Sequence, residues 1–139
     1  MKRYVPLLFL TLLTIIFDGC KKDPEPIEIT GYQQYGEPFS NVPVTDDIVM
    51  YEVNLRAFSQ DGNLAGVQQK LDHLAALGVN VIWLMPIQTN GGHLDSPYCI
   101  SNFYEVDEEY GVLADLRAFV DEAHNRDMAV ILDWVANHT

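Results

Sequence analysis

The chain has 139 residues, 48% of them apolar, enough for one domain with a real core and too few to expect two. Twenty acidic residues against eight basic ones give a net charge of −12 and a pI near 4.4, which argues against a nucleic-acid partner. A neutral or cationic ligand is the easier expectation; no organic cofactor is expected, and no protein partner is inferable from the sequence.

The amino terminus reads as an address. Lys2 and Arg3 precede Val5 to Phe17, a short apolar run with the charged and hydrophobic regions of a secretory signal and too little length to span a bilayer comfortably. The following "DGCKKDPEPIE" resembles a bacterial lipoprotein box, which implies that Cys20 becomes the lipidated first residue of the mature protein. Phe17 and Asp18 depart from the small or aliphatic residues usual there. The expected location is a bacterial outer-membrane or cell-surface lipoprotein, with a periplasmic or secreted protein as the alternative. With Cys20 lipidated, Cys99 has no intramolecular partner. Residues 1–20 are thus a signal with its box, residues 21–46 a flexible tether rich in Pro, Glu, Gly and Gln, and residues 47–139 the folded part.

From Asp47 onward strand and helix signals alternate. Ile48 to Leu55 is short and rich in β-branched and aromatic residues, so it predicts a strand. Leu64, Val67, Leu71, Leu74 and Leu77 recur at steps of three and four and paint one helical stripe. Asn63 stands as its N-cap, and Gly78 stands where a helix ends in the left-handed conformation. Val79 to Ile87 is nearly continuous in apolar residues, the mark of a strand buried on both faces, and Pro86 closes it. Residues 88–111 lack periodicity and predict a long functional loop. Leu113, Leu116, Val120 and Ala123 predict a second helix, and Met128 to Asp133 a third strand buried on both faces.

The β-α-β-α-β order implies parallel strands joined by right-handed crossovers. It fits both an open doubly wound sheet and part of a closed barrel. In either, ligands gather at the carboxyl ends of strands, where Asn54, the 88–111 loop, Asp133, Asn137 and His138 stand. No GxGxxG follows the first strand, which speaks against a dinucleotide site.

"DWVANH" at 133–138 resembles the first signature region of the α-amylase family, glycoside hydrolase family 13. "SPYCISNFYEVDEEYG" and "DLRAFVDEAHNRDMAVILDWVANH" are similar to that family's stretch between the second and third barrel strands, and "IVMYEVNLRAFS" and "LGVNVIWLMPI" to its first two. The resemblance covers residues 47–139 and implies the N-terminal part of a (β/α)8 TIM barrel acting on α-glucans. It implies that Asp133 hydrogen-bonds within the subsite of the sugar under attack. His138 would donate to the same sugar, a contact that strengthens as the ring flattens toward an oxocarbenium ion. Tyr98 matches the family's tyrosine that stacks on a glucose C–H face. Asn137 matches a position whose side-chain oxygen binds a structural calcium in many members, although one amide alone does not make a site for an ion that takes six to eight oxygens.

Other polar residues read as structural. His73 and His124 lie in helical patterns without a second ligand at i+4. Arg56 is expected in an ion pair, and Glu105, Asp107, Glu108 and Glu109 as a solvated face. The spacing of His93 and Asp95 assigns them no role. Three positions depart from the family pattern: Asp127 replaces a glycine, Val112 a threonine whose hydroxyl caps a helix at about 1 kcal/mol, and Asn102 a frequent acid.

A retaining glycosidase needs a carboxylate nucleophile and a carboxylic acid about 5 Å apart, and a full barrel needs about 250 residues. In the family those acids lie on later strands. The expectation is therefore an N-terminal fragment, inactive alone, of a lipid-anchored enzyme that cleaves α-1,4-glucosidic bonds. The alternative is a non-catalytic, glycan-binding or transport-accessory lipoprotein with a degenerate barrel.

Overall fold

The computed structural model describes residues 35–92 and 96–137. After a 3-10 turn at Thr45–Asp47 come β1 (Met50–Val53), a helical turn α1 (Leu55–Phe58), α2 (Leu64–Gln68), α3 (Leu71–Ala76) and β2 (Val81–Leu84). Then follow β3 (Gln88–Asn90), β4 (Ile100–Val106), α4 (Leu113–His124) and β5 (Ala129–Leu132). Strands β1, β2 and β5 form a parallel sheet in that order, with Glu52, Trp83 and Ile131 in one row and Val53, Leu84 and Leu132 in the next. This is the incomplete α/β arrangement expected of the start of a (β/α)8 barrel.

The core lies where helices cover the sheet. Val53, Ile82 and Leu84 pack with Leu64, Val67, Leu71 and Leu74 of the first helical layer and with Phe119 and Ala123 of α4. Each buried Leu, Ile or Phe contributes roughly 1.5–3 kcal/mol by leaving water. Of the stripe predicted over residues 64–77, Leu64, Val67, Leu71 and Leu74 are buried while Leu77 is 56% exposed, and the stripe belongs to two helices. A tight turn closed by the Lys70 N–H on the Val67 carbonyl separates them, and both apolar faces stay toward the sheet. The Asn63 side chain accepts from the Gly66 N–H at 3.0 Å, so the predicted N-cap is present.

The helices that precede β2 and β5 end in the same way. Gly78 has φ 81° and Asp127 φ 58°. In each case the left-handed residue and its successor donate back to carbonyls of the last turn: Gly78 to Ala75 and Val79 to Leu74, Asp127 to His124 and Met128 to Ala123. These are Schellman ends, and Asp127 occupies the position that glycine fills most easily. At the start of α4 the missing hydroxyl of Val112 is offset from the other side, because Asp115 Oδ2 accepts the Val112 N–H at 2.8 Å.

Three expectations are corrected. The strand predicted from Ile48 to Leu55 is confined to Met50–Val53, and Leu55 already begins a helical turn. The 88–111 stretch contains an antiparallel ribbon, β3 against β4, with an irregular register. The third strand is not buried on both faces: Ile131 and Leu132 are 41% and 44% exposed, because β5 pairs only with β2.

Candidate functional site

Parallel pairing brings the carboxyl ends of β1, β2 and β5 to one edge. The Met85 N–H donates to Val53 and the Asp133 N–H to Leu84, which carries the register one row past the strands and places Asn54, Met85 and Asp133 side by side. Side chains alternate along a strand, so Asp133 shares a face with Ile131, Trp83 and Glu52.

The β3–β4 ribbon delivers the second half of the site. Tyr98 Oη donates to Asp133 Oδ2 at 3.2 Å, across 35 residues of chain. A phenol between a half-buried environment and a carboxylate resists ionisation. Burial first, then the charge of Asp133, the hydrogen bond to it and the charge of Glu52 raise Tyr98 above the ordinary phenol value. The phenol therefore remains a donor at neutral pH, with Asp133 as its acceptor.

Main-chain hydrogen bonds set this geometry. Asn90 Nδ2 donates to the Ser96 carbonyl at 2.6 Å, Ser96 Oγ accepts the Tyr98 N–H, and the Gly91 N–H donates to Cys99. The Asp107 carboxylate accepts the Asn90 and Glu109 N–H groups, one on each oxygen. Glu109 in turn takes a forked contact from Arg56, at 2.7 Å from Nη2, and the guanidinium lies 5.7 Å from the Tyr110 ring centre. Arg56 thus makes the structural ion pair expected of it. Asp107, half-buried and accepting two main-chain N–H groups, corrects its reading as part of a solvated face, while Glu105, Glu108 and Glu109 are exposed as expected. An open hollow of about 470 Å³ lies beside this network, lined by Arg56, Asn90, Gly92, Asp107, Glu108 and Glu109.

Of the residues singled out by sequence, Tyr98 and Asp133 are in contact. Asn137 is exposed, and among the described residues no group of three or more His, Cys, Asp or Glu side chains could hold a metal ion. Cys20, His93, Asp95 and His138 lie outside the described residues. Exposed His73 and the stacked His124 carry no site. Sequence reasoning missed Gln88, whose Nε2 reaches the Asp133 carbonyl at 3.5 Å while its Oε1 accepts the Ile87 N–H. It also missed Glu52, one strand position short of the apolar Val53; an acid in an otherwise apolar strand was the available signal.

The family described as "Alpha amylase, catalytic domain" matches residues 33–139. The chain belongs to that family. It is 40% identical over 96 residues to trehalose-6-phosphate hydrolase of Bacillus subtilis strain 168, covering 66% of this chain and 17% of that protein. It is 33% identical over 105 residues to an α-amylase of Haloarcula japonica, covering 73% of this chain and 16% of that one. Among solved structures, an α-amylase from Lactobacillus plantarum matches with a TM-score of 0.65 and 42% identity over 67% of this chain and 23% of the other. The chain thus spans about a sixth of the length of these curated relatives.

Proposed function

We propose that this α-amylase family chain supplies the sugar-holding edge of a retaining glycoside hydrolase that cleaves α-1,4-glucosidic bonds in starch-like glucans. The observation that carries the reading is the Tyr98–Asp133 hydrogen bond at the carboxyl end of β5. A carboxylate held by a phenol has a second oxygen for the hydroxyls of a pyranose ring, and the phenol's aromatic face suits the ring's C–H groups. Contacts of this kind favour catalysis to the extent that they tighten as the ring flattens.

The chain's own residues bind and orient; no residue here is assigned as nucleophile or proton donor. His138 as a second donor to the sugar, Asn137 as a ligand of a structural calcium, and Cys20 as a lipid anchor at a bacterial surface complete the proposal. The relatives' printed activities, on trehalose 6-phosphate and as α-glucosidase, α-amylase and oligo-1,6-glucosidase, support a glycosidic bond as the target.

Saturation-transfer NMR with maltotriose tests the reading on the purified chain. Binding with a dissociation constant in the millimolar range, about −4 kcal/mol, is expected, without release of reducing sugar. Asp133→Ala is expected to abolish the transfer. No transfer in the folded wild-type chain, or transfer unchanged by Asp133→Ala, sinks the proposal, and starch hydrolysis by the chain alone refutes the division of labour.

A further inference from the structure

The ribbon that leads to Tyr98 is held only in part by main-chain pairing. The partner of Gln88 is Val106 and that of Thr89 is Asn102, so β4 carries extra residues between them and the ladder is interrupted there. A side chain takes over. Asp107 donates its N–H to the Ile87 carbonyl at 2.9 Å, and its Oδ2 reaches back along the ribbon to accept the Asn90 N–H at 2.8 Å.

Asn90 passes this hold to the loop. Its Oδ1 accepts the Gly92 N–H at 3.1 Å and its Nδ2 donates to the Ser96 carbonyl at 2.6 Å, so one amide grips the loop at two points. Ser96 in turn accepts the Tyr98 N–H on Oγ at 3.2 Å. On the other side of Tyr98, Cys99 accepts the Gly91 N–H at 2.8 Å, and Ile100, the register partner of Asn90, is buried. The Cys99 side is thus fixed by the ladder and by burial, and the Ser96 side by the Asn90 amide.

We propose that Asn90 is a positioning residue: its side-chain amide sets the place of Tyr98 against Asp133 and, through that contact, the grip of the edge on sugar. The inference rests on the reading of that edge as sugar-holding. An asparagine that only forms a local turn needs its acceptor alone, as in β4, where Asn102 Oδ1 accepts the Tyr104 N–H at 3.0 Å. In Asn90 the donor is used as well, and its partner lies six residues further along the chain. The Tyr98–Asp133 contact that depends on it is 3.2 Å, long for an O–H donor, so a small displacement of the loop removes it.

Carbon-13 labelling of the tyrosine rings in the full chain, with the Tyr98 signal assigned by Tyr98→Phe, reads the position of the phenol without any ligand. Burial and the Asp133 carboxylate both raise Tyr98, so a loop that drifts from Asp133 lowers its titration midpoint on both counts. Asn90→Ser keeps an acceptor for the Gly92 N–H, loses the donor to Ser96, adds no charge, and is expected to lower the midpoint. Asn90→Ala is expected to lower it at least as far. Asn102→Ala removes the comparable turn from the same ribbon and is expected to leave Tyr98 where it was. A midpoint unchanged in Asn90→Ser and Asn90→Ala overturns the proposal, and so does an equal fall in Asn102→Ala, which would reduce Asn90 to one support of the ribbon among several. Saturation transfer with maltotriose reads the consequence for sugar: Asn90→Ser is expected to bind about threefold more weakly or worse, the effect of one hydrogen bond. Unchanged affinity with a lowered midpoint overturns the link to sugar. A wild-type chain that binds no maltotriose, with Tyr98 still moved by Asn90→Ser, removes the sugar-holding reading and leaves the positioning role.

Discussion

Strands β2 and β5 are both wholly apolar, Val-Ile-Trp-Leu and Ala-Val-Ile-Leu, and end in the same residue in different environments. In β2, Leu84 is fully buried, whereas its register partner in β5, Leu132, is 44% exposed. Both strands are wholly apolar; the number of paired neighbours differs, since β2 lies between β1 and β5 while β5 pairs on one side. Apolar sequence makes a strand suitable for a sheet interior, and its place in the sheet decides whether burial is realised.

The largest expected effect tests that statement directly. Leu84→Ala removes a side chain from a filled space and is expected to cost about 2–5 kcal/mol, transfer and cavity contributions together. Leu132→Ala removes the same atoms from a half-solvated position and is expected to cost less than about 1 kcal/mol. Urea unfolding of both variants reads the difference, and equal costs would show that β5 is covered in solution.

The helix ends that feed the two strands sharpen the comparison at a smaller scale. Both are Schellman turns, closed by Gly78 before β2 and Asp127 before β5. A Cβ at Gly78 meets nothing within 4 Å, so Gly78→Ala costs only the left-handed conformation, about 1–2 kcal/mol. Asp127→Gly relieves that same strain and loses the exposed hydrogen bond from Asn41, for an expected net gain of about 0.5 kcal/mol. Thermal unfolding of the two variants checks the opposite signs.

What was legible in the sequence follows the range of the physics involved. The Asn63 cap, the left-handed Gly78 and Asp127, and the apolar stripe of Leu64, Val67, Leu71 and Leu74 depend on residues within one or two turns, and all are present. The break at Lys70 was hidden because the stripe runs through it unchanged. The β3–β4 ribbon was hidden because β3 is three polar residues long, β4 does not alternate cleanly, and their register is irregular. Tyr98 and Asp133 stand 35 residues apart, so only the resemblance to a family put them in one site. Asn90 and Asp107, which hold the loop that carries Tyr98, looked like ordinary loop polarity because their partners are backbone groups.

The smallest expected effect concerns the polar end of β5, where stability and site chemistry separate. Asp133→Asn keeps an acceptor for the Tyr98 hydroxyl and is expected to change stability by no more than about 0.5 kcal/mol. It removes the charge that helps to keep the phenol protonated, so the titration of Tyr98 should fall part of the way toward the ordinary value near 10 while burial, the larger cause, holds the remainder. The sign for stability follows from linkage. A phenol whose folded pKa is raised contributes stability that is complete below its unfolded value and is lost as pH rises through the folded one, so through this group the wild-type chain should weaken in alkali, and Asp133→Asn, with a smaller upward shift, should lose less stability over the same range. Carbon-13 labelling of the tyrosine ring, followed from pH 8 upward, reads Tyr98 directly. A Tyr98 midpoint unchanged by Asp133→Asn would mean that the carboxylate does not act on the phenol, and the sugar-holding edge would lose the contact on which it is built.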